Sequence, residues 1–246
     1  MTSDNLKHQH VIVNGSVAQQ VTAIMTQQII SGKFAVGEYL PTEAELCIEF
    51  GIGRSSVREA IKTLESRGLV RKLQGKGVVV IDESINATSQ MLRIALEFKK
   101  TSLKDLMDFR VAMEVMNVEL AAINATEEDL IEMRKYLLLM QQEDYSHDTF
   151  AHHDYLFHEA IARASKNSVS IIILRTLQPI LYKQIVYTLD PNFNPELATH
   201  FHAKIFDAIV NHQPDRAVSE MMSHLSETQR IISELDEKKE LAAIRS

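Results

Sequence analysis

The sequence predicts a mainly α-helical protein: an N-terminal winged helix-turn-helix with a small β wing, followed by a C-terminal all-α antiparallel helical bundle. Three observations lead to this prediction. Between residues 41 and 81, two helix patterns joined by a glycine-containing turn precede two β-prone runs. From Leu103 onward, apolar residues recur with a helical period and without strand-like alternation. A chain of 246 residues is also long enough for two modest cores.

The chain begins with a polar segment and one helix. Residues 1–14 show no apolar periodicity, so we expect them to form a mobile arm. A helix that stops at Gly32 follows, and its apolar face consists of Val17, Val21, Ile24, Met25, Ile29 and Ile30. Residues 33–40 are predicted to form a turn that can include a short strand. The DNA-binding domain is predicted to cover residues 15–81.

The helix-turn-helix starts at a capping box. Thr42 and Glu45 have the spacing that opens a helix, predicted over residues 43–50. The sequence Gly51-Ile52-Gly53 then interrupts the helical pattern and forms the turn. A second helix follows and stops at Gly68, with an apolar stripe made of Val57, Ala60, Ile61 and Leu64. Residues 69–73 and 78–81 are β-prone and are joined by Gln74-Gly75-Lys76-Gly77, which predicts a hairpin wing.

The first turns of the second helix carry residues suited to DNA. In a helix-turn-helix, this end of the second helix enters the major groove. Arginine there can donate two hydrogen bonds to guanine, whereas serine hydroxyls and the helix N-terminus suit phosphate. Residues of the wing can approach the neighbouring DNA backbone or the minor groove. The alternative is an ordinary helical hairpin with solvated arginines. The candidate DNA-binding residues are Arg54, Ser55, Ser56, Arg58, Thr42, Lys72, Gly75, Lys76 and Gly77.

The C-terminal part is predicted to contain a linker and six bundle helices. Residues 82–101 form the linker, with a short helix over residues 90–98, and residues 102–242 form the bundle. The bundle helices are predicted over residues 102–124, 126–143, 148–165, 168–189, 195–211 and 213–242. Breakers such as Asp190-Pro191-Asn192 and Gln213-Pro214-Asp215 separate them.

Composition and charge are those of a cytoplasmic DNA-binding protein. The net charge is −7, but residues 1–81 contain nine Lys/Arg against seven Asp/Glu, so the basic groups are concentrated beside the predicted DNA-binding helix. No uninterrupted apolar run reaches the ~18 residues that span a membrane, and the N-terminus lacks a signal-peptide pattern. The single cysteine, Cys47, is interpreted as a small core residue.

Four titratable residues are predicted to point into the bundle. Asp154 and His158 are one helical turn apart on an apolar face, and His202 and His224 continue the apolar faces of two further helices. Buried titratable groups need partners, and one divalent metal ion can satisfy all four together. Zinc is expected, with nickel, manganese or iron as alternatives. The competing interpretation is that each histidine is hydrogen-bonded separately in the core.

Arg110 is a second unusual residue of the bundle. It lies on one face of the first bundle helix with Leu103, Met107, Glu114 and Ala121. A surface ion pair with Glu114 is one interpretation. The other is an arginine whose guanidinium is available to bind the carboxylate of an effector.

The N-terminal motifs resemble the DNA-binding domain of the GntR family of bacterial transcription regulators. The matching segments are Leu40-Pro41-Thr42-Glu43, the stretch from Gly53 to Ile61, Gly68-Leu69-Val70 and Gly75-Lys76-Gly77. Two positions depart from the family pattern. Gly53 stands where a hydroxyl residue is usual, and Ala44 stands where many members have a basic residue that touches DNA. Arg54 and Arg58 are therefore expected to carry more of the DNA contact.

The C-terminal motifs resemble the FCD ligand domain of FadR-like members of this family. The matching segments are Arg110-x-x-x-Glu114, Asp154-x-x-x-His158, His202 with Asp207-Ala208-Ile209, and His224-Leu225. In the metal-binding members, the matching aspartate and three histidines hold a divalent ion beside a pocket for small organic acids, and the proteins act as dimers. The resemblance thus implies a homodimer that binds double-stranded operator DNA and a small carboxylic acid.

These observations predict a ligand-responsive transcriptional regulator that is not an enzyme. Repression is expected by default, because the domain shows no evident element for contacting polymerase. A metal-responsive regulator is one alternative. A metal-dependent hydrolase is another, since a metal with open coordination positions activates water. The sequence shows no general base beside the metal residues, and an enzyme would leave the DNA-binding domain unexplained.

Overall fold

The computed structural model describes residues 15–142, 146–189 and 195–245, and the predicted arm over residues 1–14 lies outside them. These residues form two compact units, one up to Thr88 and the other from Ser89 onward. The predicted mainly α-helical class is confirmed, with a two-stranded antiparallel sheet in the first unit.

The first unit is a winged helix-turn-helix. Its elements are α1 (Val17–Ile30), α2 (Glu43–Phe50), α3 (Arg54–Ser66), β1 (Val70–Leu73) and β2 (Gly77–Val80). The two strands pair from Val70 opposite Val80 to Leu73 opposite Gly77. Tyr39 adds a single bridge to Val79, so the predicted short strand before Pro41 is one isolated residue pair. The predicted strands differ from the observed ones by one residue at their ends.

Local signals explain the boundaries of these elements. The predicted capping box is present, because Thr42 Oγ1 accepts from the Glu45 amide at 3.3 Å while the Thr42 amide donates to Glu45 Oε2 at 2.8 Å. Gly51 ends α2 at a φ of 64°, which favours glycine. Gly68 has a φ of 71°, and a Cβ there would lie 2.4 Å from the Glu83 carbonyl oxygen. The predicted stripe of α3 is buried in full.

The second unit is the predicted helical bundle, and α4 leads into it. Helix α4 (Ser84–Phe98) begins in the first unit and continues into the second. The further elements of the second unit are α5 (Leu103–Asn124), α6 (Glu127–Met140), α7 (His147–Ala164), α8 (Ser168–Thr188), α9 (Pro195–Val210) and α10 (Pro214–Arg245). The predicted linker helix over residues 90–98 is too short, because α4 begins six residues earlier, at Ser84. The early turns are mostly polar, so apolar periodicity did not reveal them.

The bundle helices follow the predicted order, with small shifts at their ends. Helix α6 ends at Met140, short of the predicted residue 143, which lies outside the described residues. Helix α10 reaches Arg245, three residues past the predicted end. Helices α5 and α6 each begin with a reciprocal capping box, Ser102 with Asp105 and Thr126 with Asp129.

Helix α8 packs mainly against α7 in the bundle. It is the one helix, among those described, that is long and apolar enough to cross a membrane. Its buried side chains belong to the bundle core, including Leu174, Leu177, Leu181 and Ile185. We therefore interpret α8 as a core helix of the bundle. Core helices can be as long and as apolar as helices that cross a membrane.

Candidate functional site

Three helices bring four titratable side chains to one point in the bundle. Asp154 and His158 come from successive turns of α7, His202 from α9 and His224 from α10. All four residues are buried, and one ligand atom from each lies within 4.8 Å of the others. The structure thus assembles the four side chains that were predicted from helical phase alone.

The distances within this cluster are short. His202 Nε2 lies 3.2 Å from Asp154 Oδ1 and 3.3 Å from His158 Nε2. The rings of His202 and His224 have centroids 4.6 Å apart. His202 Nδ1 is buried and has no hydrogen-bond partner among the residues that the structure describes. Three imidazoles therefore crowd around one carboxylate, and hydrogen bonds within the protein do not satisfy all their nitrogens.

The electrostatic environment favours a charged Asp154 and a neutral His224. Burial alone would raise the pKa of Asp154, but the His202 hydrogen bond and the nearby positive charges of His202, His158 and Arg110 lower that pKa to about 2. Burial, together with positive charge on His202, His158 and Arg110, lowers the pKa of His224 well below its usual 6.5. An ionised carboxylate and a neutral imidazole are the forms that bind a metal ion.

The four side chains fit a divalent cation chemically. Imidazole nitrogen and carboxylate oxygen are ligands for zinc and for other transition metals. His158 Nδ1 contacts the buried carboxylate of Glu114, which leaves Nε2 to face the cluster. A metal-binding histidine usually has such a carboxylate on its other nitrogen, because it fixes the tautomer and the ring orientation.

Arg110 is buried beside this cluster. Its Nε donates to Glu114 Oε1 at 2.6 Å, and its Nη1 donates to Gln184 Oε1 of α8 at 3.1 Å. The predicted ion pair with Glu114 is therefore present, but its surface location was wrong, since both side chains are only 3% exposed. Burial raises the pKa of Glu114, whereas the charges of His158 and Arg110 and their hydrogen bonds lower it to about 2 overall.

A cavity of about 220 Å³ opens beside the cluster. Arg110, Asp154 and His224 supply polar groups to its wall. Much of the remaining wall is apolar and includes Phe150, Ile185, Leu189, Phe201, Ile231 and Leu235. At another part of the wall, Arg230 pairs with Glu227 at 2.6 Å and with Glu234. The cavity thus combines a corner formed by a carboxylate and an imidazole, together with an arginine, and an apolar body.

The predicted DNA-binding residues lie at the start of α3 and on the wing. Arg54, Ser55 and Arg58 are exposed, and Ser56 is partly buried. Gly53 is the N-cap residue of α3, and no side-chain hydrogen bond caps the helix there. This was expected, because glycine replaces the hydroxyl residue that is usual in the family at this position. Glu43 of α2 accepts from Arg58 Nε at 2.7 Å and lies 3.5 Å from Lys72 Nζ. A carboxylate therefore holds two of the candidate DNA-binding cations in place.

The remaining candidates are spread over the cap of α2 and the hairpin. The Thr42 hydroxyl is engaged with Glu45 inside the capping box. Lys76 is exposed at the hairpin turn, between Gly75 and Gly77. Both glycines have positive φ, at 72° and 113°, so the turn requires residues without a side chain.

Sequence reasoning missed four contacts at these sites. Glu114 was placed on the face of Arg110, but its contact with His158 on α7 was not foreseen. Gln184 lies 74 residues from Arg110, and no periodic signal marked it. Glu43 was identified only as part of a motif and not as a partner of Arg58 and Lys72. Each contact joins different helices or strands, so helical phase along one element could not reveal it.

Two family profiles match the chain. The profile described as "Bacterial regulatory proteins, gntR family" matches residues 17–80, and the one described as "FCD domain" matches residues 105–227. The second match includes Arg110, Asp154, His158, His202 and His224. The two matches together cover most of the chain.

The relatives of the chain are bacterial regulators. "HTH-type transcriptional regulator LutR" of Bacillus subtilis is 27% identical over 210 residues, which cover 83% of this chain and 96% of the relative. "Glc operon transcriptional activator" of Escherichia coli K12 is 25% identical over 230 residues, which cover 89% and 90%. The solved structure "Streptococcus agalactiae GntR" has a TM-score of 0.70 at 23% identity over 87% of this chain and 99% of that one, and shows the shared fold. The chain therefore belongs to the GntR family of bacterial transcription regulators and has the FadR-like combination of a GntR winged helix-turn-helix domain with an FCD domain.

Proposed function

We propose that this regulator binds operator DNA through α3 and the wing, and that a small carboxylic acid bound beside a metal ion changes its affinity for the operator. The observation that carries the proposal is the buried cluster of Asp154, His158, His202 and His224 beside a cavity that Arg110 also lines. Regulators of this family bind operator DNA and small-molecule effectors, so both activities fit the chain.

The metal ion is proposed to bind Asp154 Oδ1 and the three imidazoles. One oxygen ligand and three nitrogen ligands suit zinc. Nickel, manganese and iron are the alternatives. The bound ion would act as a Lewis acid for an oxygen of the effector. Elemental analysis of protein purified without chelator tests this proposal. The expected result is about one divalent ion per chain.

The cavity supports an acid with an apolar part as the effector. A carboxylate can bind at the metal corner and beside the buried Arg110, while Phe150, Phe201 and Ile231 contact its carbon skeleton. At about 220 Å³, the cavity is below the roughly 300–1,000 Å³ typical of drug-sized ligands, which favours a compact acid. Arg110 already donates to Glu114 and Gln184, so it is held in a fixed orientation before any ligand arrives.

The experiment for this proposal is a thermal-shift screen of the metal-loaded protein against small carboxylates, followed by gel-shift titration on its own promoter. A ligand at a hundred times its dissociation constant should add about 2.7 kcal/mol to the free energy of unfolding. The same acid should shift the midpoint of DNA binding. A stabilising acid that leaves DNA binding unchanged would contradict the coupling, and a DNA response to metal alone would favour a metal-responsive regulator.

Contacts in the cluster argue against a metal-dependent hydrolase. Glu114 is a buried carboxylate in contact with His158, and a hydrolase would need a carboxylate of this kind as general base. Here Arg110 and His158 engage Glu114 and lower its pKa to about 2, although burial alone would raise it. A carboxylate with so low a pKa is a weak base, so we propose that Glu114 orients His158 and that the protein is not an enzyme.

A homodimer is proposed as the active form. Exposed apolar residues recur every seven positions on α5, where Phe109 is 48% exposed, Met116 39% and Ile123 58%. A second copy of the chain would cover this stripe, and two copies would present two α3 helices to a palindromic operator. Analytical ultracentrifugation of Met116→Glu should show more monomer than the wild type shows. An unchanged sedimentation profile would exclude this stripe as the interface.

Repression is proposed as the default outcome of operator binding, and the cytoplasm as the location. Occupation of an operator is sufficient for repression, because it needs no contact with polymerase, and effector-induced release of DNA would relieve it. The activator among the relatives shows that the family also includes the opposite outcome. Reporter expression from the promoter in a deletion strain distinguishes the two, since loss of a repressor raises expression and loss of an activator lowers it.

A further inference from the structure

A second cavity, of about 360 Å³, lies between α4, α8 and the start of α5. Its volume falls within the roughly 300–1,000 Å³ of small-molecule sites. Its apolar wall consists of Leu96, Leu103, Leu106, Pro179 and Ile180. It shares no lining residue with the cavity beside the metal cluster.

Positive charge surrounds this second cavity. Arg93 and Lys100 line it from α4 and the turn that follows, and Lys183 lines it from α8. Among the described residues that line it, Glu97 is the one acidic residue, and its carboxylate lies 3.5 Å from Arg93 Nη1. Three cations against one carboxylate leave an excess of positive charge around an apolar cavity, which suits an anion that also has an apolar part.

Gln184 forms part of the wall and carries an unpaired amide group. The residue is only 3% exposed, and its Oε1 accepts from Arg110. Its Nε2 is buried without a hydrogen-bond partner among the residues that the structure describes. A buried donor without a partner is costly, and an acceptor oxygen of a ligand would satisfy it.

Lys100 has a backbone conformation that is unusual for lysine. Its φ is 51°, in the left-handed region that favours glycine at the end of a helix. The amides of Lys100 and Thr101 donate to the carbonyl groups of Glu97 and Leu96, which closes the end of α4. Lysine thus occupies a position where glycine would be less strained, and it lines the cavity.

We propose that this cavity is a second ligand site, for an organic anion with an apolar body, and that it is distinct from the effector site beside the metal ion. The anionic group would lie near Lys100, Lys183 and the Gln184 amide, and the apolar part would contact Leu96, Leu103 and Ile180. Carboxylates and phosphate esters share this chemistry. The Arg110–Gln184 hydrogen bond separates the two sites, because Arg110 lines one cavity and Gln184 the other.

The test uses the full chain and the fluorescent anion 8-anilinonaphthalene-1-sulfonate. We expect saturable binding that is weakened at least about tenfold in Lys183→Gln and in Lys100→Gly, because each loses one charge-assisted contact. Glycine adopts a positive φ with less strain than lysine does, so the melting temperature of Lys100→Gly should not fall below that of the wild type. Lys99→Ala is the matched control, since Lys99 is adjacent and does not line the cavity.

Competition identifies the anionic group and the need for an apolar part. Octanoate and octyl phosphate should displace the probe, and the one that displaces it at lower concentration defines the preferred head group. Octanol and inorganic phosphate should displace it poorly. The proposal is overturned if the probe does not bind, or if Lys183→Gln and Lys100→Gly bind the probe as tightly as the wild type does. It is also overturned if Lys99→Ala weakens probe binding as much as those two variants do. His202→Ala should keep probe binding, so failure of the metal site would not affect this result.

Discussion

Glu114 is a buried carboxylate that joins an arginine to a histidine of the candidate metal site. It accepts from Arg110 at 2.6 Å and contacts His158 Nδ1 on another helix. Two positively charged or donating partners keep it ionised, although burial alone would favour the protonated form. At the scale of single residues, the site therefore depends on a chain of contacts from Gln184 through Arg110 and Glu114 to His158.

Replacing Glu114 by glutamine tests this chain of contacts. Glutamine has nearly the same shape but no charge, so His158 loses its carboxylate and Arg110 loses its counterion. We expect metal affinity to fall roughly 10- to 100-fold. The measurement is competition with a chelator of known affinity. Glu119→Gln on the exposed face of the same helix is the control, and equal affinity in both variants would contradict the role of Glu114.

Replacing His202 by alanine tests the metal ligands themselves. His202 is fully buried within the cluster, and the change removes one of four ligands. We expect the variant to lose the ion and to melt at a lower temperature than the wild type. Adding chelator should not lower the melting temperature of the variant further. His200→Ala is the matched control, because His200 lies on the same helix and is exposed. Full metal content in His202→Ala would refute the proposed ligand set.

At the scale of helices, caps and ion pairs determine where elements begin and how they present their charges. Asp129 accepts from the Thr126 amide at 2.8 Å and pairs with Lys166 from the turn between α7 and α8. Burial raises the pKa of Asp129, but the Lys166 and Thr126 hydrogen bonds lower it overall. One carboxylate thus both caps α6 and ties it to the adjacent part of the bundle.

The lowered pKa predicts how this cap depends on pH. A carboxylate with a folded pKa below 3.8 stabilises the fold fully above that value, and this contribution is lost as pH falls through the folded pKa. Asp129→Ala should therefore cost about 1 kcal/mol near pH 7 and progressively less below about pH 4. Urea denaturation at several pH values measures the difference. Glu127→Gln is the control in the same turn, and a cost that does not change with pH would contradict this account.

The two candidate DNA-binding arginines of helix α3 are held under different constraints. Arg58 pairs with Glu43, whereas Arg54 has no ion pair within the described residues. Arg54→Ala and Arg58→Ala should each weaken operator binding by ~1–3 kcal/mol if their guanidinium groups contact bases. Lys62→Ala, an exposed change nearer the end of the same helix, is the control. Gel-shift titration measures the effect, and wild-type affinity in both arginine variants would exclude α3 as the recognition helix.

At the scale of the whole molecule, the proposal requires that effector binding in the bundle alter DNA binding. The effector would contact helices α5, α7 and α10 through Arg110, Asp154 and His224, and it would favour the bundle arrangement to which it binds more tightly. Helix α5 follows α4 along the chain, and α4 follows the wing. A change at α5 therefore has a short covalent path to the DNA-binding unit.

Arg110→Lys tests this coupling without leaving a buried carboxylate unpaired. Alanine at this position would break the buried ion pair with Glu114, at a cost of roughly 3–5 kcal/mol, whereas lysine keeps the charge and loses the forked guanidinium. We expect Arg110→Lys to bind metal and operator like the wild type but to need at least about tenfold more acid for DNA release. Arg134→Lys is a control elsewhere in the bundle. Release at the wild-type acid concentration would show that Arg110 does not bind the effector.

The local pattern of residues was sufficient to predict most elements and the four side chains, one aspartate and three histidines, that the bundle brings together. Helical phase along α7 places Asp154 and His158 on one inward face, and caps such as Thr42 with Glu45 mark where helices begin. These signals lie within one element, so they can be read without knowing its neighbours. The start of α4 was not predicted, because its first turns are mostly polar and show no apolar periodicity.

Contacts between distant segments were decided by the tertiary structure. The Arg110–Gln184 and Glu114–His158 contacts, and the pairing of Glu43 with Arg58 and Lys72, depend on how helices and strands pack. The same packing made the Arg110–Glu114 pair a buried one, although its spacing along α5 is equally compatible with a surface pair. Periodicity identifies the face on which a side chain lies, but only the neighbouring helix determines what that face meets and whether water is excluded.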